Sequence, residues 1–135
     1  VITAAGFVEL MKANAAFLTS VGIFFPFLIS AILKTAQGSS TVAITTTAGI
    51  MGMYTDSASM MSALGLQSEM AALLTVMAIG AGAMTVSHAN DSYFWVVTNF
   101  TGLDPQDGYR TQSMMTLVVG IVSMVSIFLA SLVLL

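Results

Sequence analysis

The sequence predicts an all-α membrane protein, a polytopic helical bundle containing a discontinuous transmembrane helix. Three observations carry that prediction. Hydrophobic residues make up 57% of the 135 positions and charged residues only 7%, against about 25% charged in soluble domains. The few charges divide the chain into four uncharged windows, Ala13–Leu33, Thr35–Thr55, Met70–Asn90 and Thr111–Leu135, each long enough for a helix that needs ~20 mostly apolar residues to cross a bilayer. Two of the windows are interrupted by small polar residues between apolar arms, a pattern that lipid tolerates only where protein or water surrounds the break.

The windows differ in kind. Ala13–Leu33 is apolar but holds Pro26, which removes a backbone donor and bends a helix. Thr35–Thr55 begins just after Lys34 with the polar run Gln37-Gly38-Ser39-Ser40-Thr41, then continues through Val42–Met53. The run is too short for a free loop and too polar for lipid. Met70–Ile79 reads as a helix that reaches Gly80-Ala81-Gly82-Ala83, then Ser87-His88-Ala89-Asn90-Asp91-Ser92, and resumes as Tyr93-Phe94-Trp95-Val96-Val97. The last window, Thr111–Leu135, has an almost wholly aliphatic core from Leu117 and reads as a simple transmembrane helix. The connections, Tyr54–Glu69 and Thr101–Arg110, are short. Arg110 is their one basic residue, and counting Lys and Arg alone places its loop on the cytoplasmic side. The chain begins without Met and stops inside an apolar run, so it is expected to be a piece of a longer protein.

Several function classes are excluded. Three Lys/Arg cannot form a basic nucleic-acid stripe. Cysteine is absent, which removes disulfides and thiolate metal sites. One His with one nearby Asp falls short of a zinc ligand set, and no cofactor motif, phosphate loop or nucleophile elbow is present. Eleven Met residues, among them Met51, Met53, Met60, Met61, Met114 and Met115, are expected to serve flexible packing.

Two clusters carry chemistry. In the first, Lys34 with Gln37, Gly38, Ser39, Ser40 and Thr41 combines a cation, hydroxyls and freed backbone amides, a set suited to a carboxylate or a polyhydroxylated solute. The alternative for the hydroxyls is interhelical hydrogen bonding, and for Lys34 snorkelling to the interface. In the second, Ser87, His88, Asn90, Asp91 and Ser92 place the one His three residues before an Asp. On a helix such residues share a face, and ionisable groups at membrane depth point to proton or ion pathways. Paired interrupted helices of this kind hold the sites of secondary transporters.

At these breaks the sequence resembles the gluconate permease family. Ala36-Gln37-Gly38-Ser39-Ser40-Thr41-Val42-Ala43, followed by Thr47-Ala48-Gly49-Ile50-Met51, is similar to the family's Gln-Gly-Ser-Ala/Ser-Thr-Val-Ala stretch, with Lys34 in the place of its preceding basic residue. The block from Gly82 to Val97 is similar to the family's Ser-His-x-Asn-Asp-Ser-x-Phe-Trp, with Tyr93 where Gly is expected and Ala83 where Ser is. The resemblance runs over essentially the whole chain and corresponds to the C-terminal portion of a family member. It implies a bacterial inner-membrane symporter of the ion transporter superfamily, with 13–53 as a re-entrant hairpin (or two spans), 70–100 as the broken helix and 111–135 as the final helix. It further implies that Lys34, Gln37, Gly38, Ser39, Ser40, Thr41, Ser87 and Asn90 bind a gluconate-like acid, and that His88 and Asp91 couple a proton. No cofactor is implied. The implied partners are the organic acid, the proton, membrane lipid and the N-terminal remainder of the same permease; a homo-oligomer is left open. The competing readings are a symporter for D-serine, glycerate or another small acid, sodium coupling, and an accessory membrane protein without transport activity.

Overall fold

The computed structural model describes residues 22–135. All regular structure among them is helical. The expected hairpin's opening stretch, from Ala13 to Val21, lies outside the described residues.

Helix α1 (Phe24–Gln37) and helix α2 (Ser40–Met51) are joined by a two-residue turn. Gly38 makes the turn in the left-handed region (φ 72°), and its N–H donates to the Lys34 carbonyl. A residue with a Cβ resists that conformation. Ser39 then caps α2, its hydroxyl accepting from the Val42 N–H at 3.3 Å, which is the capping role Ser favours. Pro26 causes no break, because it stands in the first turn of α1, where its missing N–H has no helical partner to lose. With 14 and 12 residues at 1.5 Å per residue, the two helices reach only ~21 and ~18 Å, short of the ~30 Å hydrocarbon core.

A short helix α3 (Met60–Ala63) interrupts the connection to α4 (Glu69–Met84). Ser59 and Ser68 cap these two helices, and Glu69 stands in the first turn of α4, where the helix dipole favours an acid. Helix α4 is the centre of the fold and packs on α1, α2 and the last helix. Small residues permit the approach: a Cβ at Gly82 would overlap the Phe27 carbonyl and Ser30 of α1. Ser30 also donates to the Ile79 carbonyl at 2.8 Å. Around this contact lies a core that includes Phe25, Leu74, Ile79 and Ile127, with Met51, Met60 and Met61 fully inside it. Met53, Met114 and Met115 face outward instead.

The backbone leaves helical geometry after Met84 and resumes it at Ser92, where α5 (Ser92–Thr101) begins. Within the gap Val86 has φ 52°, an unusual conformation for a β-branched residue. Pro105 at the first helical position then starts α6 (Pro105–Gly108). A π-helical turn, Tyr109–Ser113, joins α6 to α7 (Met114–Leu134). The combined helix Pro105–Leu134 is the one helix among the described residues that is long and apolar enough to cross a membrane. It begins before the uncharged window at Thr111, so Arg110 belongs to the helix rather than to a loop. Helix α7 buries only Gly120, Met124 and Ile127.

Candidate functional site

The hairpin turn and the α4–α5 gap meet. A Cβ at Gly38 would fall on the Asn90 carbonyl, so the turn sits directly against the gap. Ser40 donates across the contact to the Ala83 carbonyl at 2.9 Å. In return, Asn90 Nδ2 donates to the Thr35 carbonyl at 2.7 Å, and His88 Nε2 lies 3.0 Å from the same oxygen. Thr35 and Ala83 stand in the last turns of α1 and α4, where carbonyls lack helical partners. Each helix end is therefore satisfied by side chains from the opposite element.

Beneath this contact Lys34 Nζ donates to Asp91 Oδ2 at 2.6 Å and to the Gly38 carbonyl at 3.3 Å. Lys34 is 2% exposed and Asp91 4%, so this is a buried ion pair and not a lysine reaching for the interface. Asp91 is held from two further directions. The Ser87 hydroxyl donates to Oδ2 at 2.7 Å, and the Tyr93 N–H donates to Oδ1 at 3.0 Å, which makes Asp91 the N-cap of α5. Ser87 is fixed in turn by helix α7 and the π-helical turn: its N–H donates to Thr116 Oγ1 at 2.9 Å, and its carbonyl accepts from the Ser113 hydroxyl.

A cavity of about 260 Å³ is lined by Lys34, Ser40, Met84, Ser87, Asp91, Tyr93 and Thr116. That is just below the ~300–1,000 Å³ of drug-sized pockets and suits a small solute. Two larger clefts hold none of the candidate residues: one of about 500 Å³ with a mainly apolar lining, and one of about 550 Å³ where Arg110, Thr111 and Gln112 stand among apolar side chains. Among the described residues no cluster of three His, Cys, Asp or Glu could hold a metal ion.

The candidates thus divide. Lys34, Ser40, Ser87 and Asp91 line the cavity. Gly38 and Ser39 form the turn. His88 and Asn90 lock the gap to α1. Gln37 and Thr41 are exposed beside the turn. The geometry brings Asp91 to Lys34 rather than to His88, because 88–91 is a turn (Asp91 N–H to His88 carbonyl, 2.8 Å) and not a helix face. Sequence reasoning misses Tyr93, Ser113 and Thr116. The last two had a signal: hydroxyls three residues apart in an apolar helix share a face.

The GntP family permease profile matches residues 1–133. The chain belongs to the GntP family of permeases. That family is one of permeases and not of enzymes. It is 38% identical over 94 residues to the inner membrane permease YgbN of Escherichia coli (strain K12), covering 70% of this chain and 19% of that protein. It is 35% identical over 112 residues to the gluconate permease of Pseudomonas aeruginosa, covering 83% and 23%. It is 33% identical over 96 residues to the low-affinity gluconate transporter of E. coli (strain K12), covering 71% and 20%. This GntP-family chain spans about a fifth of the length of these curated relatives. No solved structure shows a significant match.

Proposed function

We propose that the chain is the C-terminal portion of a bacterial inner-membrane permease that carries gluconate or a related sugar acid together with a proton. In this reading 13–53 is a re-entrant hairpin with Gly38 at its tip, 70–100 is a discontinuous transmembrane helix, and 111–135 is the final span. The short reach of α1 and α2 supports the first assignment, and the gap between Met84 and Ser92 the second.

The observation that carries the reading is the buried Lys34–Asp91 pair on a small cavity where the two breaks meet. A desolvated charge pair is costly in a membrane and marks a functional site. Lys34 would take the substrate carboxylate, and Ser40, Ser87 and Thr116 would meet its hydroxyls. Asp91 is the titratable anion on the cavity. His88 and Asn90 hold the helix end that positions Lys34, and Ser39 holds the start of α2. The test is uptake of labelled gluconate by vesicles containing the full-length permease under an imposed pH gradient. Lys34→Gln is expected to abolish substrate binding while the protein remains in the membrane. Unchanged affinity would remove Lys34 from the site.

One observation favours a second substrate class. An ammonium and a carboxylate side by side would also suit a zwitterion such as D-serine, whose carboxylate and amine could each take one partner. Competition of gluconate uptake by D-serine and by glycerate separates these substrates, and omission of sodium at fixed pH tests the coupling ion.

A further inference from the structure

The Lys34–Asp91 pair has a consequence for the order of binding and for the charge that is moved, and it rests on the sugar-acid reading above. We propose that Asp91 and the substrate carboxylate are alternative partners of the Lys34 ammonium, so that a proton must reach Asp91 before the substrate binds, and transport moves no net charge.

The groups facing the cavity determine this. Lys34 comes from α1 and Asp91 from the gap. From α2 the cavity receives Ser40, from α4 Met84, and from α7 Thr116, all uncharged. Tyr93 also lines it, and the His88 ring is directed to the Thr35 carbonyl. The described lining therefore carries one cation and one anion. A sugar-acid anion entering beside both would leave a net negative charge in a buried site, which is strongly disfavoured. A proton on Asp91 removes that excess. The pair Lys34⁺/Asp91⁻ becomes Lys34⁺/substrate⁻ with a neutral carboxyl beside it, and the site is neutral before and after.

The neutral carboxyl keeps its place. Oδ1 still accepts from the Tyr93 N–H, and a protonated Oδ2 can donate to Ser87 Oγ, since a hydroxyl both donates and accepts. The proton balance closes. Water on the entry side gives one proton to Asp91, the Lys34–Asp91 contact breaks, and the Lys34–carboxylate contact forms. On the exit side the anion leaves, Asp91 returns its proton to water, and the original pair re-forms. One proton accompanies each monoanion.

Two measurements on the reconstituted full-length permease test this. In wild type, gluconate uptake is expected to follow an imposed pH gradient and to ignore an imposed membrane potential. Above the titration of Asp91 the dissociation constant is expected to rise about tenfold per pH unit, as obligatory binding of one proton requires. Uptake accelerated by an inside-negative potential, or affinity independent of pH, overturns the proposal. Asp91→Asn, which mimics the protonated state, is expected to lose gluconate accumulation and to lose the pH dependence of gluconate binding. Folded Asp91→Asn that binds no gluconate, or that keeps the wild-type pH dependence, also overturns it; if that variant fails to fold, the wild-type arm decides alone. Failure of the sugar-acid reading itself looks different, because wild type would then take up no gluconate under either gradient.

Discussion

Gly38→Ala should weaken the permease well beyond what its backbone conformation costs, and the structure supplies its own control. Gly38 and Gly65 share the same φ of 72°. An alanine at either must adopt the left-handed region, at about 1–2 kcal/mol. Their surroundings differ. A Cβ at Gly65 meets nothing within 4 Å, whereas one at Gly38 falls on the Asn90 carbonyl. That neighbour is backbone held by its own bonds, so the hairpin turn or the gap must move, which adds about 1–3 kcal/mol as overpacking usually does. Gly65→Ala should therefore cost about 1–2 kcal/mol and Gly38→Ala about 2–5 kcal/mol. Thermal unfolding of the two full-length variants in detergent, side by side with wild type, gives the ranking, and gluconate binding should suffer only in Gly38→Ala. Equal melting of the two variants would refute the claim that the hairpin turn is clamped against the gap.

Three further outcomes are expected. Lys34→Met alone leaves Asp91 buried without its cation and should cost about 3–5 kcal/mol, whereas the double variant Lys34→Met/Asp91→Leu should recover much of that loss; a thermal-melting cycle in which the two losses simply add would contradict the pairing. Gly82→Leu should drive α1 from α4 and lower the melting temperature sharply, while Gly80→Leu, at a position with nothing within 4 Å of a Cβ, should be tolerated. Trp95→Phe removes the indole N–H that donates to the Ala89 carbonyl at 2.7 Å and should cost about 1 kcal/mol, read as a small melting shift with substrate affinity retained.

Both interruptions are visible in the amino-acid sequence, because small polar residues between apolar arms have few physical explanations in a membrane. Gly38 and the Gly82–Asp91 block identify themselves in this way. Partnership across the chain is harder to see. Lys34 and Asp91 are separated by 57 positions, and only the scarcity of charge hints that they compensate each other. The spacing of His88 and Asp91 suggests a shared helix face, but helical periodicity applies only within helices, and those residues lie in a turn. Asp91 invites reading as a proton carrier and hides its second role as the cap of α5. Charges mark the edge of the last window at Thr111, yet Pro105 is the stronger start signal, since its ring preorganises the first helical turn. Just before the aliphatic run of that helix, Ser113 and Thr116 pass for polar residues at a window edge, although their hydroxyls support Ser87.

The exchange of side chains between the hairpin and the gap restricts how this part of the molecule can move. Ser40 serves the end of α4, while Asn90 and His88 serve the end of α1. Drawing the two elements apart strips the Thr35 and Ala83 carbonyls at once, and hydrocarbon offers no substitute. Water is the one replacement available. A separation that opens toward an aqueous compartment is then cheap, because the solvent that enters rehydrates both helix ends, while a separation that opens toward the lipid is prohibitively costly. In the proposed placement of the hairpin and the gap at membrane depth, direction is thereby written into the joint: it is expected to yield to an aqueous side that can flood it and to stay shut against the bilayer.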